Sequence, residues 1–135
     1  MSELQYRESV VGLTPDSLRG FFVGWPQPPS AERLLELLRS STHAVVAIDG
    51  GRAVGFVTAI SDNVLSAYVP LLEVLPEYQG RGIGTELVRR VLARLDGLYM
   101  VDLACDEELV PFYESLGLMR VGAAMGIRNR EAPRG

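Results

Sequence analysis

Apolar residues recur at helical spacing in some stretches of the chain and run together or alternate in others, which separates helices from strands. The clearest helix lies at 83–95, where Ile83, Leu87, Val91 and Leu95 repeat every fourth residue and Val88 and Leu92 widen the stripe. Arg89, Arg90 and Arg94 fall largely off that stripe, and Gly97 ends it. A second apolar face, Leu34, Leu35, Leu37 and Leu38, follows Ser30, a side chain suited to an N-cap. Thr14-Pro15-Asp16 predicts a helix start, with Thr as cap, Pro in the first turn and an acid near the N-terminus, running to Phe22. The prolines of the 24–29 segment then force a loop. A last helix is expected over 107–116, delayed by Pro111 and stopped by Gly117.

Between these lie the strand patterns. Residues 3–8 form a short first strand, and the runs 44–48 and 53–60 pair through the Asp49-Gly50-Gly51-Arg52 turn. The run 64–75 is a long strand interrupted by Pro70, which marks an edge, a bulge or a break. Residues 98–104 are a short, mostly apolar run, as in a strand buried on both faces. Residues 119–121 and 125–128 would be a last pair of strands. The order is βααβββαβαβ. The strand, glycine loop, helix and strand at 64–104 form a βαβ unit, hence a parallel pair, whereas 44–60 is an antiparallel meander. The fold class is therefore mixed α/β, with helices on both faces of one sheet.

Size and composition narrow this further. The chain has 135 residues and a mass of 14.8 kDa. Area scaling gives roughly 7,000 Å² exposed when folded against roughly 21,000 Å² unfolded, enough burial for one domain, assigned to 1–128 with a tail at 129–135. Hydrophobic residues make up 47%, which excludes disorder as the main state. Cys105 is the single cysteine and His43 the single histidine, which excludes a disulfide framework and a structural zinc site; no metal is expected. Cys105 is expected as a buried strand-end thiol and His43 as a structural residue at a strand start. The net charge of −4 argues against a nucleic-acid surface. All thirteen basic residues are Arg, so neither a lysine Schiff base nor a P-loop lysine exists. The N-terminus has no apolar signal region and no apolar run reaches ~18–20 residues, so a cytoplasmic protein without membrane association is expected.

The chemistry gathers in Val74-Leu75-Pro76-Glu77-Tyr78-Gln79-Gly80-Arg81-Gly82-Ile83-Gly84-Thr85, where a strand end runs into a helix start. Helix N-terminal amides lack intrahelical partners and carry partial positive charge, and glycines let a ligand approach the backbone, so this loop suits a phosphate. A P-loop would need a lysine. A dinucleotide fingerprint would need its third glycine one position later; its acidic partner would be Asp102, inside a strand.

Gln79-x-x-Gly82-x-Gly84 is similar to the Q/R-x-x-G-x-G/A motif of the GNAT superfamily of acyl-CoA-dependent N-acetyltransferases. Downstream, Pro111-Phe112-Tyr113-Glu114-Ser115-Leu116-Gly117-Leu118 resembles that family's helix ending in L-Y-x-x-x-G-F. The resemblance implies a GNAT-like fold, its mostly antiparallel sheet splayed at the parallel pair around coenzyme A. It implies acetyl transfer from acetyl-CoA to a primary amine by direct attack, without a covalent enzyme intermediate. Gln79, Gly80, Arg81, Gly82, Ile83, Gly84 and Thr85 would hold the pyrophosphate. Leu72 and Val74 would line the pantetheine arm, with Asp106 and Phe112 beside it; Asp106 stands where the family often has Asn, and can accept but not donate a hydrogen bond. Tyr113 would be the general acid and Glu73 the general base, with Glu73, Phe22 and Trp25 facing the acceptor. The partner is a small-molecule or peptide amine, and the chain a monomer or homodimer. A non-catalytic module that binds coenzyme A as a sensor is the alternative.

Overall fold

Five strands form one sheet in the order of the chain, β1 (Leu4–Arg7), β2 (His43–Asp49), β3 (Arg52–Ser61), β4 (Ser66–Val74) and β5 (Met100–Asp102). The computed structural model describes residues 4–128; the tail at 129–135 lies outside the described residues. The first three pairings are antiparallel, and only β4 and β5 run parallel. A sheet with one parallel pair is not the doubly wound sheet of a dinucleotide-binding fold.

Two helices sandwich the sheet. α2 (Ile83–Arg94) buries Ile83, Leu87, Val88 and Val91, with Leu95 just beyond it, and packs on Val45, Val54, Val57, Ala67 and Val69. On the other face lie α1 (Ala31–Ser40) and the tight turn Pro15–Leu18, which bring Leu34, Leu35, Leu38 and Leu18 against Val46, Ile48 and Phe56. Ser30 caps α1 by accepting the Arg33 amide at 3.1 Å, as its sequence position predicts.

The helix expected at 14–22 shrinks to that single turn. Gly20 adopts φ 98° and Phe22 φ 63°, so the chain leaves helical geometry just after Leu18. The expected strand pair at 119–121 and 125–128 does not form either. That segment makes no ladder, and Met125 and Ile127 stand 95% and 93% exposed. β5, the edge strand of the sheet, has only three residues and offers little for a further strand to pair with. β5 itself is not buried on both faces: α2 covers one side, while Met100 and Asp102 are exposed.

Two local features shape the site. The β3–β4 register passes from Thr58↔Leu71 to Ile60↔Tyr68, two residues of β3 against three of β4. Pro70 therefore sits in a bulge, where its missing N–H costs no ladder bond. The β4–β5 ladder, Ser66↔Met100, Ala67↔Val101 and Tyr68↔Asp102, stops at Tyr68, where that bulge begins. From there β4 runs on without its parallel neighbour.

The second feature is Gly55 in β3. A Cβ there would lie 3.1 Å from Leu87 Cδ1, 3.2 Å from the Glu73 carbonyl and 3.3 Å from Ile83 Cγ2. The absent side chain lets the first turns of α2 settle onto the sheet. Gly55→Val is expected to cost about 1–3 kcal/mol through overpacking, read as a lower urea midpoint at constant m. An unchanged midpoint would show that α2 does not depend on this close approach.

Candidate active site

A cavity of about 760 Å³ opens where β4 outruns β5. Its floor is the last turn of pleat in β4, Leu72, Glu73 and Val74. One wall is the glycine loop and the start of α2, the opposite wall is α3 (Val110–Glu114), and the rim is Gly20, Phe21 and Val23.

The loop wall is built from backbone. Gly80 and Gly82 adopt φ 79° and 83°, which side-chain-bearing residues avoid, and nothing lies within 4 Å of where their Cβ atoms would be. Gly82 is the N-cap of α2, and its carbonyl accepts the Glu86 amide at 3.1 Å. Helix geometry leaves the amides of Ile83, Gly84 and Thr85 without intrahelical acceptors, at the positive end of the helix dipole. A Cβ on Gly84 would fill the wedge between Phe112 Cζ and Val74 Cγ2, at 3.7 and 3.8 Å.

The loop is also braced. Gln79 Nε2 donates to the Val74 carbonyl at 3.1 Å, tying the loop to the strand end. Tyr78 donates its hydroxyl to Asp49 Oδ2 at 2.6 Å, anchoring the loop across the sheet, and this bond holds the phenol above its ordinary titration range. Arg81 turns away from the cavity. Its guanidinium lies 4.7 Å from the centre of the Tyr78 ring and donates to the Glu77 carbonyl at 3.0 Å.

Two titratable groups face the interior. Tyr113 is 9% exposed and packs edge-on to Phe112, ring centres 4.9 Å apart. Burial, with a smaller contribution from Cys105, raises its titration, so the phenol keeps its proton at neutral pH. Among the described residues no partner holds its hydroxyl. Glu73 is half-buried, and its Oε2 accepts the Phe22 amide at 2.8 Å. Burial raises the Glu73 carboxyl above the usual carboxylate range, and the Phe22 N–H pulls it partly back. The bond also holds Phe22 in its positive-φ conformation, which costs on the order of 1 kcal/mol.

Most of the residues singled out in the sequence meet here. Leu72, Glu73, Val74, Gln79, Gly80, Gly82, Ile83, Gly84, Thr85, Phe112 and Tyr113 all line the one cavity. Arg81 and Asp106 do not; Asp106 is exposed at the start of the turn Glu107–Leu109. Phe22 and Trp25 do not line it either. The Phe22 ring is 3% exposed and packs between Trp25 and Phe56, ring centres 5.0 and 6.2 Å away, so Phe22 reaches the site through its amide. Phe21 and Val23, its neighbours, form the rim instead, a choice that only the φ of Phe22 decides. Leu109 joins the α3 wall, where its apolar character on a short helix gave no distinct signal. Cys105 is exposed rather than buried, because β5 ends three residues before it. His43 Nε2 lies 3.0 Å from Asn63 Oδ1 and lines a separate cavity of about 250 Å³.

Comparison with known proteins agrees with this architecture. The profile of the Acetyltransferase (GNAT) family matches residues 11–118. A crystal structure of an acetyltransferase from Deinococcus radiodurans R1 superposes with a TM-score of 0.90 and 48% identity, covering 93% of this chain and 88% of that one. N-alpha-acetyltransferase RimI of Mycobacterium tuberculosis is 35% identical over 102 residues, 72% of this chain and 64% of the relative. Serotonin N-acetyltransferase 2, chloroplastic, of Oryza sativa subsp. japonica is 33% identical over 119 residues, 82% of this chain and 59% of the relative. The chain spans about half the length of the curated relatives it matches. It belongs to the GNAT acetyltransferase family.

The geometry of Glu73 makes a stability prediction with a definite sign. Glu73→Gln keeps an oxygen for the Phe22 amide and removes a charge that burial opposes. The variant is expected to melt higher than wild type at pH 7. The difference should shrink as the pH falls through the raised titration of Glu73, and vanish below the ordinary carboxylate range, where the wild-type group is protonated too. A variant that melts lower at pH 7 would show that the bond to the charged form outweighs its burial.

Proposed function

We propose that the chain binds acetyl-CoA in the 760 Å³ cavity and transfers the acetyl group to a primary amine in a direct, sequential reaction. The observation that carries this reading is one of convergence. The unpaired amides at the start of α2, the Glu73 carboxylate and the free Tyr113 hydroxyl all face one cavity lined by the open edge of β4. The names of the mycobacterial and rice relatives, both N-acetyltransferases, support it.

The residues fit the donor. The open space over Gly80 and Gly82 and the wedge at Gly84 leave room for a pyrophosphate against backbone amides, where the helix N-terminus favours anions. Arg81, turned onto Tyr78, is not needed for that cradle. The pantetheine arm would follow Leu72 to Val74, where no strand occupies the β5 side of β4. When bound, acetyl-CoA supplies the thioester carbonyl that the amine attacks, with the coenzyme A thiol as leaving group.

The chain's own residues would then manage protons. An amine arrives mostly as an ammonium and must shed a proton before its lone pair is available. Glu73 Oε1, unbonded among the described residues while Oε2 holds Phe22, would take that proton; a raised carboxyl is a better base than an exposed one. Tyr113 Oη would hold the proton that a departing thiolate needs, and its raised titration keeps that proton in place until then. The net reaction releases one proton to solvent.

The sensor alternative needs the cradle but neither of these groups. Coenzyme A at ~100 times its dissociation constant is expected to stabilise the protein by about 2.7 kcal/mol, and NAD at equal concentration to leave its melting unchanged. Gly82→Val should lose that shift, because a β-branched side chain is strained at φ 83° and intrudes on the cradle. Preference for NAD would overturn the reading. Tyr113→Phe is expected to lower kcat ~10²-fold with the coenzyme A shift retained; unchanged kcat would remove Tyr113 from the role.

A further inference from the structure

The acceptor end of the cavity carries one charge. Of the described residues that line it, only Glu73 has a carboxyl, guanidinium or amino group; the rim opposite is Gly20, Phe21 and Val23, with Leu72 on the floor. Phe21 is fixed edge-on against Phe56, ring centres 5.1 Å apart at 77°, so the rim presents a rigid apolar surface. The arginines near it in the fold are committed elsewhere. Arg52, whose Nη2 comes within 3.3 Å of where a Cβ on Gly20 would stand, is drawn to Glu77 at 3.5 Å, Arg81 sits on Tyr78, and Arg19 is held by Asp16 at 2.9 Å. None of the three lines the cavity.

Resting on the acetyltransferase reading above, we propose that the acceptor is an aromatic or aliphatic monoamine that carries no carboxylate beside its amine. Glu73 Oε1 draws the ammonium, and Phe21, Val23 and Leu72 cover the hydrocarbon body. An amino acid would bring its carboxylate to within a few bonds of the Glu73 carboxylate. Two like charges that close, in a partly desolvated site without a cation, repel strongly. Arginine and lysine are the strong partners of a carboxylate, and among the described residues neither lines this wall.

Three amines of matched shape test the proposal: phenethylamine, phenylalaninamide and phenylalanine. Binding of each to the coenzyme A-saturated protein is measured by calorimetry, and kcat/KM with acetyl-CoA by thiol release. Phenethylamine and phenylalaninamide are expected to bind and react, with phenylalanine ~10²-fold weaker in both readouts. Phenylalaninamide separates the effect of charge from that of bulk at the same carbon. Val23→Arg, at a rim position already 66% exposed, is expected to narrow the phenethylamine-to-phenylalanine ratio ~10-fold by supplying the missing cation. Phenylalanine binding as well as phenethylamine, or neither binding, would overturn the substrate class while leaving the acetyltransferase reading intact. Amine binding with the predicted order but no thiol release for any amine would overturn transfer and keep the class. Absence of any coenzyme A-dependent melting shift would overturn the underlying reading itself.

Discussion

β4 loses its parallel neighbour after Tyr68, and the site is built around that loss. Buried backbone N–H and C=O groups must find partners, so a strand that runs on without a neighbour has to be covered by something else. Here the cover is unusual in kind. Gln79 reaches back to the Val74 carbonyl, α3 brings Phe112 and Tyr113 alongside, and the remaining edge faces a cavity. The bulge at Pro70 lies where the two strands part, so an irregularity of sequence coincides with the change in pairing.

The helix whose first amides lack intrahelical acceptors lies close to that edge, and its position is set from beneath. Gly55 admits Ile83 and Leu87 to the sheet at distances a side chain would forbid, and Tyr78 pins the preceding loop to Asp49 on β2. The aliphatic stripe of α2 then fixes its rotation, which fixes where Gly84 and Thr85 point. Core packing and ligand geometry are thus one problem: the same residues that bury apolar area orient the helix N-terminus.

What the sequence made legible follows from the range of the interactions involved. Local signals were readable: the fourth-residue repeat of α2, the Ser30 cap, the Asp49–Arg52 turn, and the glycine spacing of the loop. The residues Gln79, Gly82 and Tyr113 could be named because they occupy fixed places in motifs, and Glu73 because it lies on the strand that leads into the first of them. Long-range consequences were not readable. Nothing in the sequence around Gly55 says that a helix thirty residues later rests on it. Arg81 sits among the loop glycines, and its charge suggested a phosphate; the Tyr78 ring and the Glu77 carbonyl compete for it and win. The alternation at 119–128 has the right period for strands, but the three-residue edge of β5 gives a ladder nothing to extend. The resemblance places Phe22 and Trp25 in the wall of the acceptor site. A single positive φ at Phe22 turned that ring inward and presented Phe21 and Val23 instead.

The two halves of the cavity differ in how they store information. On the proposed reading, the donor half is written in main-chain amides and in glycine conformations that few other residues adopt. The acceptor half is a short rim, Gly20 to Val23, attached to β4 through one hydrogen bond from the Phe22 amide to Glu73. Val23 contributes little to the core, and Phe21 only partly. Val23 can therefore be replaced without disturbing the core, whereas Gly20 at φ 98° and the buried Phe22 are held by backbone conformation and packing. On the proposed reading, a new acceptor preference would arise at Val23 while the core and the glycine loop stay as they are.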